Sequence, residues 1–296
     1  MSLCHKRMGM AAAAGLMMHS CAPALVSNPH YVVGMPYRTG SVWHYPKEDF
    51  DFDSTGLAVV ATNEGARLTT DGEVFDPTSL AGGHATLQLP AITRVTNLEN
   101  GRQVTARIND RGAGDPRRLL EVTRRTAELL GMPLDGVARV RMQVLPMESH
   151  AAADSLPGTS ALAMAAVPRA GIETVELMPP PGARGGGGHL LSAATEAAPA
   201  TTAMTPPALR LPEVVSQTMP RPGRLVVRLD MFDEFQYAAV EQAKMASVGA
   251  RIVTVAQGRS RRFRVDVGPL PDVASADAVL DRALAHGIPD AHIVVD

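Results

Sequence analysis

Residues 95–112 read VTNLENGRQVTARINDRG, and this stretch decides the fold. Val104, Ala106 and Ile108 alternate with polar neighbours, the period of a strand with one buried face. Just upstream, Asn100-Gly101 joins two residues that tolerate positive φ, a strong hairpin signal, so the run 92–96 becomes the preceding strand. Downstream the strand passes without a break into Asn109-Asp110-Arg111-Gly112, which sets amide and charged side chains beside a glycine at a strand end. Further out, residues 123–130 form a short helix that Thr123 can cap. Thr126, Leu129 and Leu130 share its face, and Gly131 ends it. Residues 137–144, VARVRMQV, alternate again and close the unit. Residues 56–146 are thus expected to form a compact, mainly β domain.

Residues 223–296 have a different order. Strands are expected at 225–229, 251–256, 263–267 and 292–295. The first helix carries the stripe Phe235, Ala239, Ala243, Ala246. Asp272 can cap the second, whose apolar face is Val273, Ala276, Val279, Leu280, Ala283 and Leu284, with Gly287 at its end. This is the βαββαβ order of a ferredoxin-like sheet. Between the two domains, residues 147–222 are rich in Ala, Pro, Thr and Ser, with Pro179-Pro180-Pro181 and four glycines at 185–188. Such composition buries too little surface to offset chain entropy, so a disordered linker is expected there. Residues 22–55 form a lead-in holding Tyr31, Tyr37, Trp43, Tyr45, Phe50 and Phe52. So many aromatics in an irregular segment imply either a strap across a domain surface or a sugar-stacking surface.

The 296 residues suffice for two small domains with a linker. With 45% hydrophobic but only 4% aromatic residues, the cores must be built from Val, Leu, Ile, Ala and Met. A net charge of −2 gives no global reason to expect a nucleic-acid partner. At the start, His5, Lys6 and Arg7 precede the apolar run 8–18, which is too short for a bilayer span but fits a signal-peptide core. Ser20-Cys21-Ala22 follows and resembles the bacterial lipoprotein signal, so residues 1–21 are read as that signal and Cys21 as the lipidation site. Cleavage there removes Cys4, the other of two cysteines, and leaves no intramolecular disulfide. The alternative is a plain secretory signal cut after Ala22 or Ala24.

Three segments of the β domain set titratable groups beside tight turns: Thr70-Asp71-Gly72-Glu73, Gly82-Gly83-His84 and Asn109-Asp110-Arg111-Gly112. They supply two carboxylates and a histidine, the groups acid–base work on a glycosidic bond needs. A structural ion pair, a solvated glutamate and a satisfied loop histidine would give the same pattern, and spacing alone leaves both readings open. No cluster has metal-ligand spacing, and neither metal nor cofactor is expected.

The ordered motifs carry a resemblance. Leu89-Pro90, Arg94-Val95-Thr96-Asn97-Leu98, Asn100-Gly101-Arg102, Arg107-Ile108-Asn109-Asp110-Arg111-Gly112 and Arg118-Leu119-Leu120-Glu121-Val122-Thr123 resemble the rare lipoprotein A family of septal-ring lytic transglycosylases. Thr70-Asp71-Gly72-Glu73, His84-Ala85-Thr86-Leu87 and the lead-in from Asn28-Pro29-His30-Tyr31 onward fit it too, so the likeness covers about residues 28–145. It implies a six-stranded double-psi β-barrel. The C-terminal domain, through Phe263-Arg264-Val265-Asp266-Val267-Gly268-Pro269, resembles the sporulation-related repeat (SPOR) domain, which binds glycan strands stripped of stem peptides at division septa.

What the resemblance implies is an endolytic cut between MurNAc and GlcNAc in denuded strands that leaves a 1,6-anhydro-MurNAc end, serving cell separation and wall turnover. By match to the family motif, Asp110 is the general acid/base, Glu73 the second carboxylate stabilising positive charge on the sugar, and His84 the group that orients or polarises the substrate. Arg111 is expected to hold its loop by pairing with a carboxylate, and Asn109 and Arg111 stand nearest as substrate contacts. In the C-terminal domain the expected contacts are Arg228, Phe232 and Phe263, with Arg228 where the first strand usually carries glutamine. The implied partner is septal peptidoglycan, with division proteins as further candidates. The membrane enters only through the lipid anchor, and Ala22 after Cys21 leans towards the outer membrane, facing the periplasm. The chain also departs from the pattern. Ala58-Val59-Val60-Ala61-Thr62 replaces Ala-Ser-Trp-Tyr-Gly, 63–68 lacks Phe-His-Gly, Asp71 replaces Asn, Ala113-Gly114-Asp115-Pro116 replaces Pro-Phe, and Glu121 replaces Asp. The lost Trp-Tyr pair keeps open a non-catalytic peptidoglycan-binding septal lipoprotein and, more weakly, an expansin-like loosening of glycan contacts.

Overall fold

The computed structural model describes residues 25–63, 65–157, 210–257 and 260–296. The expected signal segment and Cys21 lie outside the described residues. The lead-in crosses the barrel as a strap. Val32 and Leu89 exchange backbone hydrogen bonds of 2.7 and 2.8 Å, and a small hairpin follows, β1 (Tyr37–Thr39) against β2 (Val42–His44).

The barrel strands are β3 (Asp53–Val60), β4 (Ala81–Gly83), β5 (Ala91–Asn97), β6 (Arg102–Asp110), β7 (Leu120–Val122) and β8 (Val137–Val144). They run in the order β4-β7-β3-β8-β5-β6, and β6 returns to pair with β4, so six strands close on themselves. Two of the pairings, β3–β7 and β4–β6, are parallel, as a double-psi barrel requires of its crossing loops. Alternation along β6 buries Val104, Ala106 and Ile108 at 0–1% exposure, with Leu57, Leu89, Val95, Val140 and Met142 equally enclosed. A fully buried aliphatic side chain of this kind contributes about 1.5–3 kcal/mol. Helix α1 (Arg124–Leu130) starts where expected, its cap Thr123 accepting from the Thr126 amide, and Gly131 ends it.

The β5–β6 turn differs from the expected two-residue form. It spans Leu98 to Gly101, and only Gly101 takes positive φ, at +78°. Asn97 and Asn100 instead use their side-chain oxygens to accept the amides of Glu99 and Arg102 at 2.9 Å each, a local substitute for a left-handed asparagine.

The linker expectation over 147–222 needs correction at both ends. Helix α2 (Pro146–Asp154) packs on β5, where Ser149 Oγ accepts from the Ile92 amide at 2.9 Å and donates to its carbonyl at 3.1 Å. At the other end β9 (Val215–Gln217) adds to β6, Arg125 pairs with Glu213 and Leu211 lies against the barrel core. The α2 sequence, PMESHAAAD, carries no apolar stripe at helical spacing, and β9 is only three residues long; of the C-terminal part, only the apolar patch 209–215 stands out in the sequence as able to dock. The middle of the expected linker lies outside the described residues.

The C-terminal domain follows the expected order: β10 (Leu225–Phe232), α3 (Phe235–Lys244), β11 (Ala250–Gln257), β12 (Ser260–Leu270), α4 (Val273–Ala285) and β13 (His292–Val295), with sheet order β11-β12-β10-β13. Asp272 caps α4 through the Ser275 amide at 2.7 Å. The α3 stripe is out of phase with expectation. Ala238 and Glu241 face inward with Met245 just beyond the helix, while Phe235 is 57% exposed and meets only the edge of Phe263. Ala238 and Met245 are fully buried, while the larger Phe235 and Tyr237 stay outside, and this fixes the phase.

The two domains share an interface. Leu57 of the barrel is buried in the C-terminal core, with Leu98 and Val137 packed beside it. Thr55 Oγ1 donates to the Val295 carbonyl at 2.8 Å and accepts its amide at 3.0 Å. Arg118 grips Asp277 of α4 with two bonds, 2.7 and 2.9 Å.

Candidate functional site

The site forms at the C-terminal end of β6, where the chain brings three loops together by backbone bonds. The Asp71 amide donates to the Asn109 carbonyl at 3.3 Å, and the His84 amide donates to the Asp110 carbonyl at 3.0 Å. The β4–β6 register slips between Gly82 and Gly83, so Asn109 is an extra residue in β6. Such bulges re-aim side chains and cluster at functional sites. The approach of the strands is close enough that a Cβ on Gly83 would stand 2.5 Å from the Gly112 nitrogen, which only glycine permits.

The backbones of the three expected site residues meet, but their side chains do not converge on one open space. Glu73 is buried. Its Oε2 accepts from Asn109 Nδ2 at 2.7 Å and its Oε1 lies 2.7 Å from Arg107. Asp71 sits beside it at 0% exposure, taking bonds from Thr69 Oγ1 at 2.7 Å and the Glu73 amide at 3.2 Å, with Arg107 3.7 Å away. Two carboxylates thus share one guanidinium, all three groups buried. Burial first, and the Glu73 charge second, push the Asp71 carboxyl up to about 7. Asn109 and Glu73, expected to touch substrate, are spent on each other.

His84 is also enclosed. Its Nδ1 accepts from the amides of Thr86 and Leu87, both at 3.2 Å, and Phe52 meets its ring edge-on. Burial, then the nearby Arg111 charge, lower its pKa to about 3, so it is a neutral imidazole that holds the 84–87 turn. Arg111 does not pair with a carboxylate as expected. Its guanidinium donates to the carbonyls of Val33 (2.5 Å), Leu87 and His84 (3.4 Å), pinning the strap to the barrel. Those carbonyls carry no sequence signal, so this role was not legible.

Asp110 keeps the most open position of the three. Oδ1 accepts from Thr70 Oγ1 at 2.7 Å, the Thr70 amide at 3.1 Å and the Arg111 amide at 2.8 Å, and Oδ2 pairs with Arg67 at 2.5 Å. Arg67, itself stacked 4.3 Å over Phe75, was not expected, since 43 residues separate it from Asp110. The crevice before the Asp110–Arg67 pair is bounded by Gly83, Gly112 and Glu121 and offers about 10 Å³, roughly the room one water needs. It adjoins a wider groove of about 290 Å³ that shares Gly83, Gly112 and Glu121 and is walled by Val59, Val60, Arg111, Asp115 and Arg118. Val59 and Val60, the positions that depart from the family's aromatic pair, therefore line the groove itself. Glu121 was noted only as a departure. Its alternation between buried Leu120 and Val122 was the available signal that it faces outward. Among the described residues no group of three or more His, Cys, Asp or Glu is placed to hold a metal.

In the C-terminal domain Arg228 lies between Asp266 (3.5 Å) and Asp296 (3.2 Å). Phe232 and Phe263 are cross-strand partners half-sunk against that domain's core. All three expected contacts are thus partly engaged within the protein.

Residues 55–142 match the family model described as lytic transglycolase. The endolytic peptidoglycan transglycosylase RlpA of Rickettsia bellii is 32% identical over 130 residues, 43% of this chain and 57% of that protein. RlpA of Escherichia coli K12 is 40% identical over 94 residues, 31% of this chain and 26% of the relative, and that of Yersinia pestis 38% over 107 residues, 36% and 29%. The chain spans from about a quarter to just over half the length of these curated relatives. The solved SPOR domain of RlpA from Pseudomonas aeruginosa matches 24% of this chain and 99% of its own length, at 19% identity and a TM-score of 0.23. Across residues 55–142, motif string and closed barrel alike put the first domain of this chain beside the lytic transglycolases of the RlpA type.

Proposed function

We propose that this chain is an endolytic lytic transglycosylase that cuts MurNAc–GlcNAc bonds in peptide-free glycan and leaves a 1,6-anhydro-MurNAc end. The observation that carries this reading is the position of Asp110. It ends β6 in a barrel matched by the lytic transglycolase family, and its crevice adjoins a groove of about 290 Å³. The reaction needs one group that protonates the leaving oxygen and then accepts the proton of the muramic acid 6-hydroxyl, and Asp110 takes both steps. Because the crevice holds about one water, Arg67 must swing off Oδ2 as substrate enters. Glu73 and His84 are positioning residues. Glu73 holds Asn109 and His84 holds the 84–87 turn, so each acts on the β6 end through a neighbour. The same reading has the chain lipid-anchored through Cys21 in the envelope, on the periplasmic side of the outer membrane, with its C-terminal domain holding it to denuded septal strands among division proteins.

Incubation with amidase-treated sacculi, followed by mass spectrometry of the soluble fraction, tests the chemistry. Anhydro-muramyl ends that disappear with Asp110→Asn support it. Retention on sacculi with no released product favours the second reading, a glycan-binding protein. Two observations speak for that reading: valines line the groove where aromatics would stack on sugars, and Arg67 occupies Asp110.

A further inference from the structure

We propose that Arg67 selects peptide-free glycan: it lets go of Asp110 and pairs with the free lactyl carboxylate that a muramic acid carries only where its stem peptide has been removed. This rests on the transglycosylase reading above and deepens it. A stem peptide joins the lactyl group through a neutral amide. Its removal leaves a carboxylate, so the two kinds of strand differ at this position by a full charge as well as in bulk. The arginines around the site leave one cation for that charge. Arg107 is buried against Asp71 and Glu73, Arg111 is held by three backbone carbonyls, and Arg118 is gripped by Asp277. Among the described residues the Arg67 side chain has one hydrogen-bond partner, Asp110 Oδ2, which it meets through Nη1. The rest of its donor fork is free to form the paired bonds that a carboxylate accepts, and the side chain is 27% exposed.

Only the side chain has to move. The Phe75 amide donates to the Arg67 carbonyl at 2.9 Å and Leu68 bridges Val74, so the backbone is fixed. The guanidinium lies 4.3 Å over the Phe75 ring, a face on which it can turn without losing contact. Asp110 keeps its place without Arg67, since Oδ1 already accepts the Thr70 hydroxyl and the amides of Thr70 and Arg111. A muramic acid whose anomeric centre faces Asp110 carries its lactyl ether two ring carbons away, so both groups act on one sugar. Charge favours the exchange. Crevice and groove are lined by Arg67, Arg111 and Arg118 against Asp110, Asp115 and Glu121, and Asp277 and Arg117 match Arg118 and Asp115. That leaves Arg67 and Arg111 against Asp110 and Glu121. With Asp110 protonated, as the first step of the proposed reaction requires, one positive charge is in excess, and one lactyl carboxylate neutralises it. A neutral amide offers Arg67 no such partner, and a ligand shifts an equilibrium only by its differential affinity for the two arrangements.

The test is isothermal titration of the full chain, carrying Asp110→Asn so that ligand is not consumed. Three GlcNAc–MurNAc tetrasaccharides are compared: the free lactyl acid, its N-methylamide, and a form with dipeptide stems whose carboxylates lie beyond the lactyl amide. The acid is expected to bind at least tenfold more tightly than either amide. Adding Arg67→Gln should bring acid and methylamide within twofold of each other, while Arg67→Lys should keep at least a threefold preference for the acid. Equal affinities for acid and methylamide with Arg67 present, or a dipeptide form that binds as tightly as the acid, overturns the proposal. So does a merely structural part for Arg67, in which Arg67→Gln weakens both ligands alike and the preference survives. A failure of the proposed cleavage would look different: no anhydro ends from sacculi, with the preference for the acid intact.

Discussion

Replacing Asp71 by asparagine should make the protein more stable at pH 8 and leave it little changed at pH 4. The buried cluster holds the carboxylates of Asp71 and Glu73 against the guanidinium of Arg107 alone, so one negative charge is in excess. Burial and the Glu73 charge raise the Asp71 carboxyl in the folded state to about 7, against roughly 3.9 in the unfolded chain. The folded state therefore binds the proton more tightly. The stability this group contributes is fully present below about pH 4 and is lost as pH rises through 7. About three pKa units at 1.36 kcal/mol each put the loss at up to about 4 kcal/mol. Asp71→Asn keeps a side-chain oxygen for Thr69 and the Glu73 amide, balances Glu73 against Arg107, and removes this slope. Urea unfolding followed by far-ultraviolet circular dichroism at pH 4, 5.5 and 8 measures it. The gap between variant and parent should open with pH and reach about 2–4 kcal/mol at pH 8. A variant less stable than its parent at pH 8, or one whose pH profile runs parallel to the parent's, refutes the charge counting.

Other changes probe the site's supports. Arg111→Lys exchanges a planar fork on three backbone carbonyls for one ammonium, and should cost about 1–3 kcal/mol in urea unfolding and speed proteolysis ahead of β1, with no change if the strap is held otherwise. Gly83→Ala forces a Cβ to 2.5 Å from the Gly112 nitrogen, and should yield insoluble or unfolded chain, whereas a soluble variant of parental melting temperature would contradict the close approach. Leu57→Ala empties a fully buried position between the two cores and should cost about 2–5 kcal/mol, with hydrogen exchange rising in β13 before it rises in β5.

What could be read in advance follows the range of the interactions. The β6 alternation, the α1 cap at Thr123 and the βαββαβ order depend on neighbours a few residues apart, and all are present in the fold. The site divides along the same line. That the turns at 70–73, 82–84 and 109–112 belong together was implied by the family resemblance, while their spacing alone left it open. Which way their side chains face was not, because the partners are remote: Arg67 is 43 residues from Asp110, Asn109 is 36 from Glu73, and Val33 is 78 from Arg111. The α3 stripe failed for a related reason. Phe235 looks like a core residue by hydrophobicity, yet the helix phase is set by Met245 and the sheet beneath it.

These separated contacts bear on how many carboxyl groups the proposed reaction can use. A glycoside hydrolase commonly uses two, because a water or an enzyme carboxylate attacks opposite the acid. Ring closure by the sugar's own hydroxyl supplies its nucleophile from the substrate, so a single acid/base suffices. The arrangement of carboxylates is compatible with that count. Glu73 is withdrawn into a cluster with Arg107 and Asn109, where its charge supports the β6 end rather than meeting a sugar. Asp110 is left at the crevice, held by Thr70 and by Arg67, of which Thr70 fixes its direction and Arg67 covers the oxygen that would exchange a proton in the proposed reaction. Glu121 borders both crevice and groove, but its Oε2 already accepts the Ala113 amide at 2.7 Å and so shapes the 112–115 loop. With one carboxyl at the reacting position and the others tied to the frame, loss of Asp110 should abolish product outright. Loss of Glu73 should act instead through Asn109 and the β6 end, lowering activity without abolishing it.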